Sequence, residues 1–228
     1  MRVFVKCNHL HENCTHKWFR IEEVSNGITH FIGLLLSIVA LVLLVVRSSE
    51  LGSARTIVAC SIFGVSLIFT YFSSTIYHLT VNSLLRKRYR MFDHISIYWL
   101  IAGSYTPFTL VSLQGAWGWS LFGVVIGLAV VGTIFKIVAV DKLEVLSTLT
   151  YVAMGWIIVV AVVPITDALP VHALLWLIAG GLLYTFGVIF FMMETVPFGH
   201  TIWHLFVLAA GFCHFWAVYW YVAGVKIH

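Results

Sequence analysis

The stretch 28-ITHFIGLLLSIVALVLLVV-46 settles the solvent of this chain, because apart from His30 it holds no ionisable side chain. A helix needs about 20 consecutive apolar residues to cross the hydrocarbon of a bilayer, and this run has that length. Six more runs of similar character follow, at 57–79, 91–113, 119–138, 145–164, 173–193 and 201–225. Between them lie "RSSELGSAR", "VNSLLRKRYR", "LQGAWG", "AVDK", "PITDALP" and "ETVPFG", punctuators too short to fold as a second domain. Composition agrees: of 228 residues, 61% are hydrophobic and only 10% charged, fewer charges than a water-facing surface requires. Backbone crossing lipid must satisfy its own hydrogen bonds, and nothing here alternates with the period of barrel strands. The expected fold class is therefore an all-α membrane protein, a single seven-transmembrane-helix bundle over 22–228 preceded by a polar tail at 1–21.

Lys and Arg orient such a bundle, since cytoplasmic loops carry the excess. With the N-terminus inside, Arg2, Lys6, Lys17, Arg20, Arg86, Lys87, Arg88, Arg90, Lys136 and Lys142 fall on the cytoplasmic side, and only Arg47, Arg55 and Lys226 fall outside. The expectation is a cytoplasmic N-terminus, an outer C-terminus and residence in the cell inner (plasma) membrane. The net charge of +4 then reflects anchoring to the inner leaflet. Membrane lipids are the expected partners, with no nucleic acid and no soluble protein indicated. The first run is too long for a signal-peptide core and lacks a small-residue cleavage site, so it is expected to stay as a helix.

Cys7, Cys14, Cys60 and Cys213 show no pairing pattern, and no disulfide is expected. The tail "KCNHLHENCTHKW" groups Cys7, His9, His11, Cys14 and His16, but their spacing matches no zinc finger and no second half follows. A disordered or headgroup-bound arm is the expectation there.

Polar residues inside the runs are more informative, because each is costly in lipid and needs a partner or a task. The second run ends in "SSTIYHL", with Ser74 and His78 one helical turn apart. The third opens with "FDHISIYW", which brings in Asp93. The seventh opens with His200 and His204, again one turn apart. The first is entered through "EEVSNGITHFIG", where Glu23, Asn26 and His30 form a stripe. In the expected topology all of these lie at the cytoplasmic end, so they can converge at one depth.

Three imidazoles from two helices with a fourth position open are a set that holds catalytic zinc, and an i, i+4 pair on one helix is a frequent way to supply two of them. The positive end of the helix dipole also disfavours imidazolium at His200 and His204. Asp93 can then accept a proton from water and Ser74 can donate to a developing oxyanion. Plainer readings stand beside this one. The histidines can serve as interhelical hydrogen bonders, Asp93 as a partner for "RKRYR", and Ser74 as a hydroxyl bonded back to its own helix. Glu23, Asn26 and His30 can cap and anchor the first helix. His94, His172, His214 and His228 find no such company and read as packing or interface residues.

The blocks "EEVSNGITHFIG", "SSTIYHL" with "FDHISIYWLIAGSYTPF", and "HTIWH" resemble, in order, the three signature blocks of the haemolysin III family, the bacterial branch of the progestin and adiponectin receptor superfamily. The resemblance extends over 22–225. In the receptor branch a zinc ion near the cytoplasmic face is held by three histidines, with an aspartate bonded to the neighbouring water. Residue by residue this implies Zn2+ held by His78, His200 and His204, with Asp93 and Ser74 as the catalytic pair. The superfamily looks like a group of membrane-embedded hydrolases of lipid amides, with ceramide cleavage the best-known activity, so an amphiphilic amide is the implied substrate class. The receptor branch's long cytoplasmic domain has no counterpart here, and partners read by such a domain are not implied.

Three functional classes follow: a zinc-dependent lipid amidase, a regulator of membrane composition or energetics in which zinc braces helices, and a lytic protein as the family name implies. A water-filled path needs polar residues along its length. Here they gather at one end, which makes lysis the least favoured.

Overall fold

The computed structural model describes residues 9–139, 144–193 and 195–225, with side chains over 20–138, 144–193 and 195–225. Its helices are α1 (His9–Leu51), α2 (Ala54–Leu79), α3 (Ser83–Pro107), α4 (Gly115–Ala139), α5 (Glu144–Gly155), α6 (Val162–Ala168), α7 (Val171–Met192) and α8 (Gly199–Tyr221). A wide π turn, Phe108–Leu113, extends α3 beyond Pro107, and a 3-10 turn, Ile157–Ala161, joins α5 to α6. No strand occurs among the described residues. Six of these segments are long and apolar enough to cross a membrane, α5, the 3-10 turn and α6 together forming one of them.

The side-chain distribution is that of a protein dissolved in lipid. Leu35, Leu36, Val39 and Val42 of α1 and Val131, Ile134 and Ile137 of α4 are exposed. Asn26, His30, Thr70, Ser74, His78 and His204 are buried. Lipid tails are as apolar as leucine, so the apolar faces lose nothing outside, while polar groups must find partners inside. α1 packs on α2 and α8, α2 on α3, and α7 on α8, with α5 reaching across to α3 and α7. α2 is thus at the centre, its Phe63, Leu67 and Tyr71 packed among Val207, Val218 and Val222 of the α8 region.

Three expectations from sequence are corrected. The segment read as an arm continues α1 without a break back to His9; Cys7 and the side chains of His9, His11, Cys14 and His16 lie outside the described residues. The basic run belongs to a helix and not to a loop: the Asn82 side-chain carbonyl accepts from the backbone N–H groups of Leu84 (3.0 Å) and Leu85 (3.1 Å). That cap starts α3 at Ser83, eight residues before the apolar part begins. The run 145–164 is broken at Gly155–Trp156. Tyr105 of α3 compensates the break, accepting from the Ile158 backbone N–H (3.0 Å) and donating to the Gly155 carbonyl (2.7 Å), with the Met154 carbonyl at 3.1 Å. Non-helical backbone at membrane depth is tolerated only where protein or a cavity surrounds it. Both conditions hold, because Gly155, Trp156 and Ile158 line an internal cavity.

Cys60 and Cys213 are buried free thiols, in line with the expectation of no disulfide for these two; Cys7 and Cys14 are outside the described side chains.

Candidate metal centre

α2 delivers His78 in its last turn and α8 delivers His200 and His204 from its first two turns. α8 starts abruptly: Phe198 adopts a left-handed backbone (φ 56°, ψ 20°) that turns the chain into the helix at Gly199. The one-turn spacing then sets His200 one turn from His204, the two rings meeting edge to face. One nitrogen from each of the three rings lies within 4.8 Å of the others, and the ring centroids are 4.7 to 5.0 Å apart. His78 and His204 are buried and His200 is half-buried.

Hydrogen bonds assign which nitrogen His78 and His204 present. His78 Nδ1 is 2.8 Å from Glu23 Oε2, so Nδ1–H donates to the carboxylate. His78 Nε2 is buried and has no hydrogen-bond partner among the described residues. His204 Nδ1 donates to the Asn26 backbone carbonyl at 3.1 Å, which leaves its Nε2 as the lone-pair nitrogen. This is the arrangement in which a second contact sets the tautomer and orientation of a metal-binding imidazole. A nitrogen lone pair stranded in an apolar interior costs about 1–3 kcal/mol. Three converging imidazoles, two of them with an assigned Nε2 lone pair, form a donor set able to hold a divalent metal ion.

The stripe on α1 is the scaffold of this centre. Glu23 is 9% exposed, and its carboxylate is held by both His78 and Arg86, the latter stacked over the Tyr77 ring at 4.9 Å. Pairing on two sides makes a buried carboxylate tolerable. Asn26 Oδ1 accepts from the Thr201 hydroxyl at 2.6 Å, tying α1 to the first turn of α8. His30 stacks on His204 at 3.5 Å with an interplanar angle of 8°, and meets the Tyr71 ring edge-on. A position for these residues as simple caps of α1 is excluded, since α1 begins well before them. Glu23→Gln keeps an acceptor for His78 but removes the charge. It is expected to weaken metal binding about tenfold, read by competition against a chelator of known affinity.

Asp93 and Ser74 face the same space. Of the basic run, Arg86 pairs with Glu23 and Arg90 with Glu144. Ser66, Thr70, Ser73 and Thr75 of α2 all bond back to carbonyls of their own helix. Ser74, 1% exposed, does not; its hydroxyl has no hydrogen-bond partner among the described residues. It lies beside the Asp93 carboxylate, outside ordinary hydrogen-bond geometry. Both line a cavity of about 370 Å3 together with His30, His200 and His204.

Two histidines read from the sequence as packing or interface residues also border that cavity. His94 and His214 both line it. Helical angle alone places them off the ligand face, but a cavity bordered by residues of α1, α2, α3, α5, α6, α7 and α8 is reached from more than one face of a helix.

Fold and site together define a class, the all-helical multi-pass membrane proteins with a histidine triad able to hold a metal ion at one end of the bundle. The chain belongs to the haemolysin III family: the family model for haemolysin-III related proteins matches residues 18–215. It is similar to "Hemolysin-3" of Bacillus cereus, with 45% identity over 88% of this chain and 92% of that one. "Hemolysin-3 homolog" of Bacillus subtilis (strain 168) is 43% identical over 90% of this chain and 96% of that one. The similarity extends to "Monocyte to macrophage differentiation factor" of Homo sapiens, at 31% identity over 88% and 84%.

Proposed function

We propose that this protein is a zinc-dependent hydrolase of long-chain lipid amides, crossing the cell membrane seven times with its N-terminus and metal centre on the cytoplasmic side. The observation that supports the reading is a cavity that holds His200, His204, Asp93 and Ser74 at one end and is lined mostly by apolar side chains elsewhere. Such a shape seats an acyl chain and brings its polar head to the histidines. Val159, Val162 and Ile178 line the cavity and are also more than half exposed on the lipid side. An amphiphile already in the bilayer therefore has a lateral way in, between the 3-10 turn with α6 on one side and α7 on the other. α3 supplies the seventh crossing through its part beyond Met91, while Arg86, Lys87, Arg88 and Arg90 stay at the cytoplasmic surface.

His78, His200 and His204 are the residues that would hold zinc, leaving a position open. When bound there, zinc acts as a Lewis acid toward a carbonyl and lowers the pKa of water to about 7. The chain's own residues do the rest. Asp93 accepts a proton from the attacking water and returns it to the departing amide nitrogen. Ser74, with no competing bond on its own helix, donates to the carbonyl oxygen as negative charge grows there. The C–N bond breaks, the water oxygen ends on the acyl carbon, and the products are a fatty acid and an amine.

Purified protein incubated with a fluorescent long-chain N-acyl amide is expected to release fatty acid, to stop on chelation and to resume on zinc addition. No release from metal-loaded protein across short and long acyl amides would sink the hydrolase reading. A second reading has one observation in its favour: Glu23, Asn26 and the histidines stitch α1, α2 and α8 together. The ion would then brace the bundle of a non-enzymatic regulator of the membrane. Under that reading chelation lowers thermal stability and no reaction is lost.

A further inference from the structure

One corner of the cavity, beside Asp93, is backed by a positive charge that no described carboxylate answers. Lys136, in the last turn of α4, is 1% exposed. No carboxylate of the described residues pairs with it: Glu23 is held by His78 and Arg86, and Glu144 by Arg90. A buried lysine is rarely left without a partner. Two contacts give its place. The Tyr98 ring of α3 fills the space where a Cβ on Gly132 of α4 would stand, and Trp99 Nε1 donates to the Thr133 hydroxyl at 3.1 Å. Carried one turn back along α3, that antiparallel register sets Lys136 opposite His94.

His94 connects this charge to the cavity. It is half-buried and lines the wall, with Lys136 behind it. Its backbone carbonyl accepts from the Tyr151 hydroxyl at 3.0 Å. No described residue bonds its ring, and neither ring nitrogen is sealed off as both of His30 are. In either neutral tautomer that ring offers one N–H. Thr148 and Tyr151 share the wall, but their hydroxyl protons are committed to the Glu144 and His94 carbonyls. At the rim, Arg90 stands one turn, about 6 Å, before His94 on the same helical face, in its pair with Glu144.

We propose that the corner formed by His94 and Lys136, with the Arg90–Glu144 pair at its rim, receives a carboxylate carried on the nitrogen side of the amide, so that the substrates are N-acyl amino acids. The inference rests on the reading that the cavity seats a long-chain lipid amide. A carboxylate only accepts hydrogen bonds, and the open group on this wall is a donor. Lys136 attracts it through the low-dielectric interior without contact, whereas an ammonium head at the same point meets a like charge. An α-amino acid places its carboxylate two bonds from the amide nitrogen. That short reach matches a nitrogen attended by Asp93 and a head received by the next residue of the same helix.

The test uses the full-length protein in lipid nanodiscs and displaces a fluorescent N-acyl ethanolamine with N-hexadecanoylglycine or N-hexadecanoylethanolamine, which differ at the head mainly in charge. Affinities are expressed per mole fraction of competitor in the bilayer, which removes differences in partitioning. The parent is expected to favour the glycine amide about tenfold. Lys136→Met is expected to bring that ratio close to one. Glu144→Gln, which takes a competing negative charge from the rim, is expected to raise it about threefold. A residue that only supports the fold would weaken both amides alike. A parent without preference, or a ratio that stays at the parent value in either variant, overturns the proposal and leaves the lipid-amide reading standing. If neither amide displaces the probe from the parent, both fall together. Should Lys136→Met fail to fold, Glu144→Gln decides, and a ratio no higher than the parent's overturns the proposal.

Discussion

Protein purified in detergent without added metal is expected to carry one zinc per chain, and the double variant His200→Ala, His204→Ala none, with turnover of a lipid amide lost along with the metal. The size of the effect follows from the donor count. Removing both imidazoles of α8 leaves His78 as the one histidine of the triad, and a single ligand cannot hold a divalent ion against water. The result is read as metal content by mass spectrometry beside a thermal melt in the same buffer. Two folded proteins that are equally free of metal would end the zinc assignment and the hydrolase with it. The triad would then be a hydrogen-bonded cluster between α2 and α8.

The second large effect separates binding from chemistry. Asp93→Asn preserves shape and removes the proton acceptor, so metal content is expected to stay at the parent level while turnover falls by about 10²–10⁴-fold. The pair of readouts matters because Asp93 is outside the three-histidine set yet lines the same cavity. Unchanged turnover with metal still bound would take Asp93 out of the reaction. Loss of metal together with activity would instead make Asp93 a fourth ligand.

Much of this site is written in the chain as spacing. His200 and His204 share a helical face by their separation of four, and Ser74 and His78 do the same, so two helices each present one polar edge. Topology then brings those edges to one end, and the structure gathers His78, His200 and His204 within coordination reach of one another. The stripe Glu23, Asn26, His30 was legible as a stripe, but its task was not. Only the packed bundle shows Glu23 on His78, the Asn26 carbonyl on His204 and His30 stacked over His204. Such contacts join residues more than fifty positions apart, and local periodicity carries no information about them.

Other features were hidden for a related physical reason. In lipid, a wall that faces tails and a wall that faces a cavity are built from the same apolar residues, so Val159 and Leu177 cannot be sorted by pattern. His94 and His214 looked unaccompanied because a helical wheel describes one face, whereas the cavity touches several. The break at Gly155–Trp156 escaped notice because its compensation comes from Tyr105 on another helix.

The sequence by itself determined the solvent and the helical class, and it singled out three imidazoles that the structure brings together. Those follow from run length, charge placement and the 3.6-residue period, all of which act along a single segment. Only the tertiary structure decided which nitrogen His78 and His204 offer, that Ser74 keeps its hydroxyl free of its own helix, and that a mostly apolar cavity reaches from His200 and His204 to His214. Those depend on which faces of α1, α3, α7 and α8 meet, and in a bilayer that choice is made by close packing and hydrogen bonding between helices, not by hydrophobicity.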